Sequence, residues 1–320
     1  MKQTTFASAA WNHKGKLTRR ERFLAEMDAV IPWPRLLALI EPHYPKAGNG
    51  TQPHPMERML RIYFMQNWFN LSDPGAEDAL YDSESMRRFA GIELVEDDVP
   101  DESTILRFRH LLEKHRLTEQ IFAEIRTLLE EKRLLLKSGT IVDATIIAAP
   151  PSTKNAEGKR DPEMHQTKKG KDWHFGMKAH VGTDKRGIVH SLTTTAANVH
   201  DSTQMAKLLH GQEREVFGDQ AYWNESHRQS ARALGIRYRI NRRPARRPLT
   251  DYQRHINRLR SRDRARCEHV FHVVKRLWGF SKVRYRGLAK NTVRLFAAFA
   301  LANLYLLRRH LLPAPGQCVL

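Results

Sequence analysis

The stretch TIVDATIIAA, residues 140–149, sets one carboxylate in a run of β-branched and small apolar residues. β-Branched residues are typical of strands, and strand alternation puts Asp143 on the same face as Ile141 and Thr145. A carboxylate in the middle of such a strand is costly to bury unless a cation compensates its charge. We therefore predict that Asp143 is a metal ligand, with a buried salt bridge or a hydrogen-bonded carboxylate as the alternative.

The segments that follow this stretch alternate between strand and helix patterns. A polar loop is predicted over residues 150–171. The further predicted elements are hairpin strands at 175–181 and 188–195, a helix at 201–210, strands at 215–219 and 236–240, and helices at 262–277 and 292–312. This order predicts an α/β, ribonuclease-H-like fold, in which a mixed sheet is flanked by helices.

The residues before this stretch carry only helical patterns. Thr18 and Glu21 form a capping-box pattern at the start of the first helix, and Thr118 is expected to cap a later one. We therefore predict an all-α N-terminal region over residues 1–138 and a ribonuclease-H-like catalytic domain over residues 139–320.

The positive charge is confined to the second of these regions. Residues 1–139 hold 20 Lys and Arg against 21 Asp and Glu, whereas residues 140–320 hold 34 against 14, which accounts for the whole net charge of +19. Between Arg237 and Arg266 there are 12 arginines and no lysine. Because strand and helix patterns interrupt this block, we expect a folded surface that binds the phosphates of nucleic acid rather than a disordered tail.

Several classes of protein are disfavoured. Cys267 and Cys318 have no partners at metal-ligand spacing, so we expect neither a disulfide framework nor a zinc finger. The N-terminus lacks the apolar segment of a signal peptide. The longest apolar stretch, Leu295 to Leu307, is shorter than the ~20 residues of a membrane span and predicts a buried helix. We expect a cytoplasmic protein with no membrane partner.

A second candidate ligand, Asp219, ends the predicted strand EVFGD. An ordinary turn carboxylate is the alternative at this position. In the predicted sheet, however, the first and fourth strands are neighbours, so that Asp143 and Asp219 can face one cleft. Paired carboxylates repel each other and favour hard divalent cations. The pair can hold two Mg²⁺ or Mn²⁺ ions for an in-line displacement.

Glu268 is the third candidate ligand. At 100° per residue it shares one helix face with Arg264 and Lys275. The apolar residues beside this face predict packing on the sheet, which would bring Glu268 to the edge of the cleft. The alternative is a surface ion pair between Arg264 and Glu268.

Three tryptophans and one aspartate have weaker signals. Trp173, Trp223 and Trp278 are expected in the core, with stacking on an unpaired base as the alternative. Asp201 is expected to be the N-cap of the helix that begins there.

The chain resembles the DDE transposases of bacterial insertion sequences, and within them the insertion-sequence five superfamily. The matching segments are FASAAWNHKGKLTRRERFL, PDESTILRFRHLLEKH, GTIVDATIIAAPPSTKN, RDPEMHQTKKGKDWHFGMKAH, TTAANVHDSTQ, FGDQAY, EHVFHVVKRLWGF and VRYRGLAKNT. The resemblance implies that Asp143, Asp219 and Glu268 bind the catalytic metals. Two positions depart from the family pattern, because Ser261 stands where a tyrosine is usual and Ala221 where a glycine is usual.

The resemblance also implies the reaction and the partners. The expected reaction is metal-dependent cleavage of phosphodiesters at the ends of an insertion sequence, followed by attack of the 3′-hydroxyl on target DNA. A homodimer is expected on double-stranded DNA, at the terminal inverted repeats, in the bacterial cytoplasm and at the nucleoid. The helical N-terminal region is expected to recognise DNA ends, to dimerise, or both. The predicted DNA contacts are Arg264, Lys275, Tyr222, Arg284, Arg286 and Lys290.

Two alternative functions remain open. One is a structure-directed nuclease or resolvase on the same fold, which would hydrolyse DNA strands but never join them. The other is a DNA-binding relic with a decayed site, although all three carboxylates, Arg264 and Lys275 are intact in this chain.

Overall fold

The structure, a computed structural model, describes residues 13–50, 52–154, 158–244 and 248–312. The predictions that fall on the first twelve residues and on Cys318 lie outside these ranges. The helices are α1 (Arg19–Val30), α2 (Trp33–Ile40), α3 (Met56–Trp68), α4 (Asp73–Asp82), α5 (Glu84–Ala90), α6 (Glu102–Lys114), α7 (Leu117–Glu131), α8 (Met205–Leu208), α9 (Glu225–Ala233), α10 (Asp251–Arg264), α11 (Glu268–His272) and α12 (Leu288–Leu311). The strands are β1 (Gly139–Ala148), β2 (His165–Lys169), β3 (Asp172–Thr183), β4 (Val189–Ala196), β5 (Glu215–Gly218) and β6 (Arg237–Ile240).

The described residues before β1 are helical, as predicted. The capping box at the start of α1 is confirmed, because the Thr18 hydroxyl accepts from the Glu21 amide and the Glu21 carboxylate accepts from the Thr18 amide. The expected cap at Thr118 is wrong. Helix α7 already begins at Leu117, after the left-handed residue Arg116, and Thr118 is fully buried. The start of α7 is therefore fixed by the tight turn at Arg116 between packed helices and not by a capping side chain.

One mixed sheet of six strands lies at the centre of the second half of the chain, in the order β2-β3-β1-β5-β6 with β4 paired to β3. Strand β1 runs antiparallel to β3 and parallel to β5, and β5 runs parallel to β6. The predicted hairpin is β3 and β4. This mixed sheet with flanking helices confirms the predicted α/β, ribonuclease-H-like fold. It also confirms that β1, which contains Asp143, is adjacent to β5, which ends just before Asp219.

Two predicted boundaries are wrong. The expected loop at 150–171 contains β2, which pairs with β3 although its side chains are mostly exposed lysines and other polar groups. The expected start of a helix at residue 262 is wrong, because the helix α10 begins at Asp251 and ends at Arg264. Helix α10 buries none of its residues, and its few apolar side chains stand among many arginines, so the sequence gives only a weak helical signal there. A 3₁₀ turn and a π-helical turn at Val273–Leu277 then flank α11.

The sheet is covered on both faces, and β1 supplies residues to both. Ile141 belongs to the main hydrophobic core, whereas its neighbour Val142 belongs to a smaller core with Tyr222, Met205 and Ile240. The predicted alternation of β1 is therefore confirmed. Asp143 follows Ile141 by two residues, so it points to the face that carries the main core.

The main core is continuous between the N-terminal helices and the sheet. Helix α12, the predicted buried helix, packs against α1, α3, α7 and β4. Its Asn303 amide donates to the Val189 carbonyl at 2.7 Å and fixes the helix to β4. Among the described helices, none is long and apolar enough to cross a membrane.

Candidate active site

Asp143 is a nearly buried carboxylate, with 7% of its surface exposed. Its Oδ1 accepts from the Ala144 amide at 2.9 Å, and its Oδ2 accepts from Nη1 of Arg264 at 2.6 Å. Burial raises the pKa of Asp143 to about 6, because the desolvation of the ionised form outweighs the attraction of Arg264, and the negative charge of Asp219 adds to the increase. Burying the ionised form of Asp143 therefore costs free energy, and a further cation beside the carboxylate would offset that cost.

Asp219 lies beside Asp143. Strands β1 and β5 are parallel and pair Ile141 with Phe217, so the same register extended by two residues sets the two aspartates opposite each other. Strand neighbours are about 4.8 Å apart. The Oδ1 of Asp219 accepts from the Ala221 amide at 2.8 Å, which turns the chain away from the sheet.

Gly218 makes this close pairing of β5 possible. A Cβ atom at Gly218 would lie 2.8 Å from Cδ1 of Ile240 and 3.0 Å from Cγ2 of Val142. Both distances are shorter than ordinary van der Waals contact, so a side chain here would force the buried side chains of Ile240 and Val142 to shift. The glycine therefore suits the close packing of β5 beside Asp219, the next residue.

Glu268, the first residue of α11, is at the edge of the site, with 62% of its side chain exposed. The Arg264 guanidinium lies between it and Asp143, because Nη2 is 3.5 Å from Oε1 of Glu268 while Nη1 bonds Asp143. In the described part of the chain, no three His, Cys, Asp or Glu side chains are close enough to hold a metal ion. The structure thus brings the two aspartates together and leaves Glu268 on the outer side of Arg264.

Lys275 joins the same helical segment to β1. Its Nζ donates to Oγ1 of Thr145 at 3.1 Å and to the Ile146 carbonyl at 2.9 Å. Burial lowers the pKa of Lys275. An ammonium group has three N–H donors, so after these two bonds one donor is left for a ligand near Asp143.

Tyr222 was expected to contact DNA, and its burial argues against that contact. The side chain is completely buried in the smaller core, and burial raises the pKa of its hydroxyl well above the usual value. A Cβ atom at Gly218 would lie 3.4 Å from the Cβ of Tyr222, so the tyrosine packs directly against β5, next to Asp219.

The remaining predicted DNA contacts differ in their surroundings. Arg284 donates from Nε to the Asn70 side-chain oxygen at 3.1 Å and from Nη2 to the Asn70 carbonyl, which ties the loop before α12 to the turn after α3. Arg286 and Lys290 are exposed on that loop and on the first turn of α12. Arg284 thus has a structural role in addition to any contact with DNA.

A polar cluster that the sequence did not predict lies on the face of the sheet opposite Asp143, because His180 pairs with Ala144 and Lys178 with Ile146. The Lys178 Nζ donates to Oδ1 of Asp201 and to the Val199 carbonyl, both at 2.8 Å, and Nδ1 of His180 is 3.8 Å from the same Asp201 oxygen. The expected role of Asp201 as an N-cap is wrong, since the His200 ring accepts from the Ser202 amide instead. A 23-residue separation between Lys178 and Asp201 gives no local pattern that could predict the pair.

The three tryptophans have three different environments. Trp278 is buried and belongs to the main core, as predicted. Trp173 is 66% exposed on β3, so the expected core position is wrong. Trp173 pairs across the β2–β3 ribbon with the exposed Lys168, so this part of the sheet has no hydrophobic core for the tryptophan to pack into. Trp223 is half-buried and packs edge-on against Tyr238.

The donor chemistry at Asp143 and Asp219 fits a hard divalent cation. The ligand atoms are carboxylate oxygens, which Mg²⁺ and Mn²⁺ prefer. Burial raises the pKa of Asp143 although the Arg264 guanidinium contacts the carboxylate, so a further cation would stabilise the ionised form. Glu268 is separated from Asp143 by the Arg264 guanidinium, so it could reach an ion at the aspartates only if its contact with Arg264 were given up.

Two family models of known proteins match this chain. Residues 135–304 match the family model described as a transposase DDE domain, and residues 12–111 match the one described as "Transposase domain (DUF772)". A solved structure described as the Mos1 strand transfer complex is 11% identical over 85% of this chain and 100% of that chain, with a TM-score of 0.20. Because the first of these models spans more than half of the chain, the chain belongs to the DDE transposases.

Proposed function

We propose that this transposase cuts phosphodiester bonds at the ends of an insertion sequence of the insertion-sequence five superfamily and joins the released 3′-hydroxyl to target DNA. The observation that carries the proposal is the pair of aspartates on adjacent parallel strands, flanked by two basic residues of one helical segment. Asp143, Asp219 and Glu268 are the proposed ligands of two Mg²⁺ or Mn²⁺ ions. When bound, these ions activate the attacking oxygen and stabilise the leaving oxygen.

The protein's own groups orient the DNA. Arg264 has five N–H donors and Lys275 has three, and only some are used within the protein. Both side chains start from the segment that faces β1, so their remaining donors can hold phosphate oxygens beside the scissile bond. Asp143 is nearly buried between strands, so little bulk water reaches its carboxylate.

Direct displacement is favoured over a covalent enzyme intermediate. The cysteine closest in sequence to the site, Cys267, is fully buried, and burial raises the pKa of its thiol well above the usual value. A thiol in that state is a poor nucleophile. Water and the 3′-hydroxyl are therefore the proposed nucleophiles.

The proposed division of the chain follows its charge. Residues 139–320 carry the catalytic site and the basic surface, and residues 1–138 recognise element ends, dimerise, or both. The N-terminal region is nearly neutral, so it supplies few phosphate contacts. Double-stranded DNA at the inverted repeats and at the target is the proposed substrate, held by a homodimer.

The test uses the full-length protein and the terminal DNA that flanks its gene. Asp143→Asn and Asp219→Asn should abolish cleavage and joining while DNA binding is retained, because binding rests on Lys and Arg. Gel analysis of strand-transfer products separates a transposase from a nuclease of the same fold, which would yield cut DNA only. Full cleavage in excess chelator would exclude the metal-dependent mechanism.

A further inference from the structure

A two-stranded ribbon extends from the catalytic sheet beyond the end of β1. It consists of β2 and of residues 172–175 of β3, which pair with β2 alone among the described strands. Strand β1 ends at Ala148, opposite Gly176 of β3. The pair of strands therefore projects past the sheet as an arm, residues 165–175, for which we keep the name β2–β3 ribbon.

The ribbon is closed by a tight turn at Gly170 and Lys171, between the paired residues Lys169 and Asp172. Gly170 has a φ of +64°, and a glycine with positive φ at the first of two turn residues is typical of a two-residue hairpin loop. The paired strands are about 4.8 Å apart. The end of the ribbon is therefore narrow.

The side chains of the ribbon are mostly basic and face the solvent. Lys168, Lys169 and Lys171 are exposed, and none of them forms an ion pair with a carboxylate in the described part of the chain. Nζ of Lys168 lies 5.9 Å from the ring centroid of the exposed Trp173. Cationic donors next to an exposed aromatic ring suit a polyanion that also has apolar groups.

The same lysines disfavour another protein strand as the partner of the ribbon. Strand β2 is at the edge of the sheet, and its outer edge is open to pairing. Lysines on an edge strand, here Lys168 and Lys169, oppose pairing with another chain. A second copy of the ribbon would also bring like charges opposite each other. The charge of the ribbon thus favours nucleic acid over a second copy.

The ribbon lies close to the aspartate pair. Val181 of β3 pairs with Asp143, and Trp173 precedes Val181 by eight residues, which is at most about 27 Å of extended strand. Burial, followed by the charge of Lys169, lowers the pKa of Lys275, so the end of the ribbon is near the lysine that bonds β1. One strand of a duplex advances about 3.4 Å per nucleotide. A duplex held at the aspartates can therefore meet the ribbon within about eight base pairs of the scissile phosphate.

We propose that the β2–β3 ribbon enters the major groove of this duplex. Its three lysines contact the phosphates that border the groove, and Trp173 faces the base edges. The major groove is about 12 Å wide and admits a two-stranded ribbon. The inference rests on the proposed function, which supplies the DNA at the aspartates. It adds a DNA-binding element in the catalytic domain to the recognition of element ends by residues 1–138.

The first test measures binding of a fluorescent duplex, the terminal DNA that flanks the gene, to the full-length protein by anisotropy in chelator. The variant Lys168→Gln/Lys171→Gln is compared with the control Lys132→Gln/Lys207→Gln, which removes two exposed lysines outside the ribbon. At about 0.1 M salt the ribbon variant should bind at least about tenfold more weakly, and its log–log salt slope should fall by about 1.8, the value for two lost phosphate contacts. The control should lose less than threefold.

The second test locates the ribbon on the DNA. Dimethyl sulfate methylates guanine N7, which lies in the major groove. The wild-type protein should protect guanines within about eight base pairs of the scissile bond. Trp173→Ala should lose protection at those guanines and keep it elsewhere.

Three outcomes would overturn the ribbon proposal. They are equal losses of affinity in the two double variants, unchanged protection in Trp173→Ala, and a ribbon variant that binds the duplex normally but differs from the wild type in oligomeric state by sedimentation. In each case, DNA binding and metal-dependent cleavage by the wild-type protein would still support the proposed function. A wild-type protein that neither binds nor cuts DNA would overturn both.

Discussion

Replacement of Asp143 by asparagine should change stability in a direction that depends on pH. The folded protein raises the pKa of this carboxyl from 3.8 to about 6, so the folded state holds the proton more tightly than the unfolded state. The contribution of Asp143 to stability is therefore full below pH 4 and is lost as the pH rises through about 6. A shift of about two pKa units corresponds to roughly 3 kcal/mol. Asparagine has no charge to desolvate and avoids this loss.

The asparagine has a cost of its own. Its oxygen can still accept from the Ala144 amide, but its NH₂ group would face the Arg264 guanidinium, and two opposed donors cost about 1–3 kcal/mol. At pH 7.5 the variant should therefore be as stable as the wild type or up to ~2 kcal/mol more stable. At pH 4 it should be less stable by the full cost of the opposed donors. The change between the two pH values, about 3 kcal/mol, is the quantity to test.

Urea denaturation in chelator at both pH values measures these free energies of unfolding. Asp263→Asn, a change of the same type on α10, is the control, and its effect should stay within about 0.5 kcal/mol. Added Mg²⁺ at ten times its dissociation constant should stabilise the wild type by about 1.4 kcal/mol and the Asp143 variant far less. An equal effect of Asp143→Asn at both pH values would refute the reasoning.

Three other changes test the site and its supports. Glu268→Gln should slow cleavage at least ~10²-fold, roughly 2.7 kcal/mol of barrier, while Asp263→Asn stays within a few-fold in the same kinetic assay; equal losses would reject Glu268 as the third ligand. Gly218→Ala should lower the free energy of unfolding by about 1–3 kcal/mol through the forced contact with Ile240, and should weaken stabilisation by Mg²⁺; a neutral result in urea denaturation would show that β5 adjusts freely. Burial lowers the pKa of His180 from 6.5 to about 4, so wild-type stability falls as the pH drops through this window, and His180→Gln should reduce that fall by up to roughly 3 kcal/mol. Parallel pH profiles would contradict the last expectation.

The parts of the fold that follow apolar periodicity could be predicted from the sequence. Strand β1 and the β3–β4 hairpin are rich in β-branched and small residues that are largely buried, and α12 is apolar over most of its length. Strand β2 and α10 lack such patterns, because both are largely exposed and basic. Their positions depend on backbone pairing and on capping rather than on burial.

Some features of the candidate site could likewise be predicted from the sequence, and others could not. The adjacency of Asp143 and Asp219 follows from strand order, which a sequence of elements can reveal. The ion pair between Asp143 and Arg264 joins residues 121 positions apart, and spacing alone assigned Arg264 to DNA phosphates. The burial of Tyr222 could not be predicted for another reason. A single tyrosine after a turn has the same local sequence whether its side chain faces the core or the solvent.

The packing of α12 against α1 joins the two ends of the described chain. Arg308 on α12 bonds Glu26 on α1, across 282 positions of the chain. At about 5–20 residues per second, roughly 15–60 s of synthesis separate the two. During that interval the first helices emerge from the ribosome without the helix that completes their core, and contacts so distant in sequence form slowly. A chain that ended before α12 would leave the apolar faces of α1, α3 and α7 uncovered.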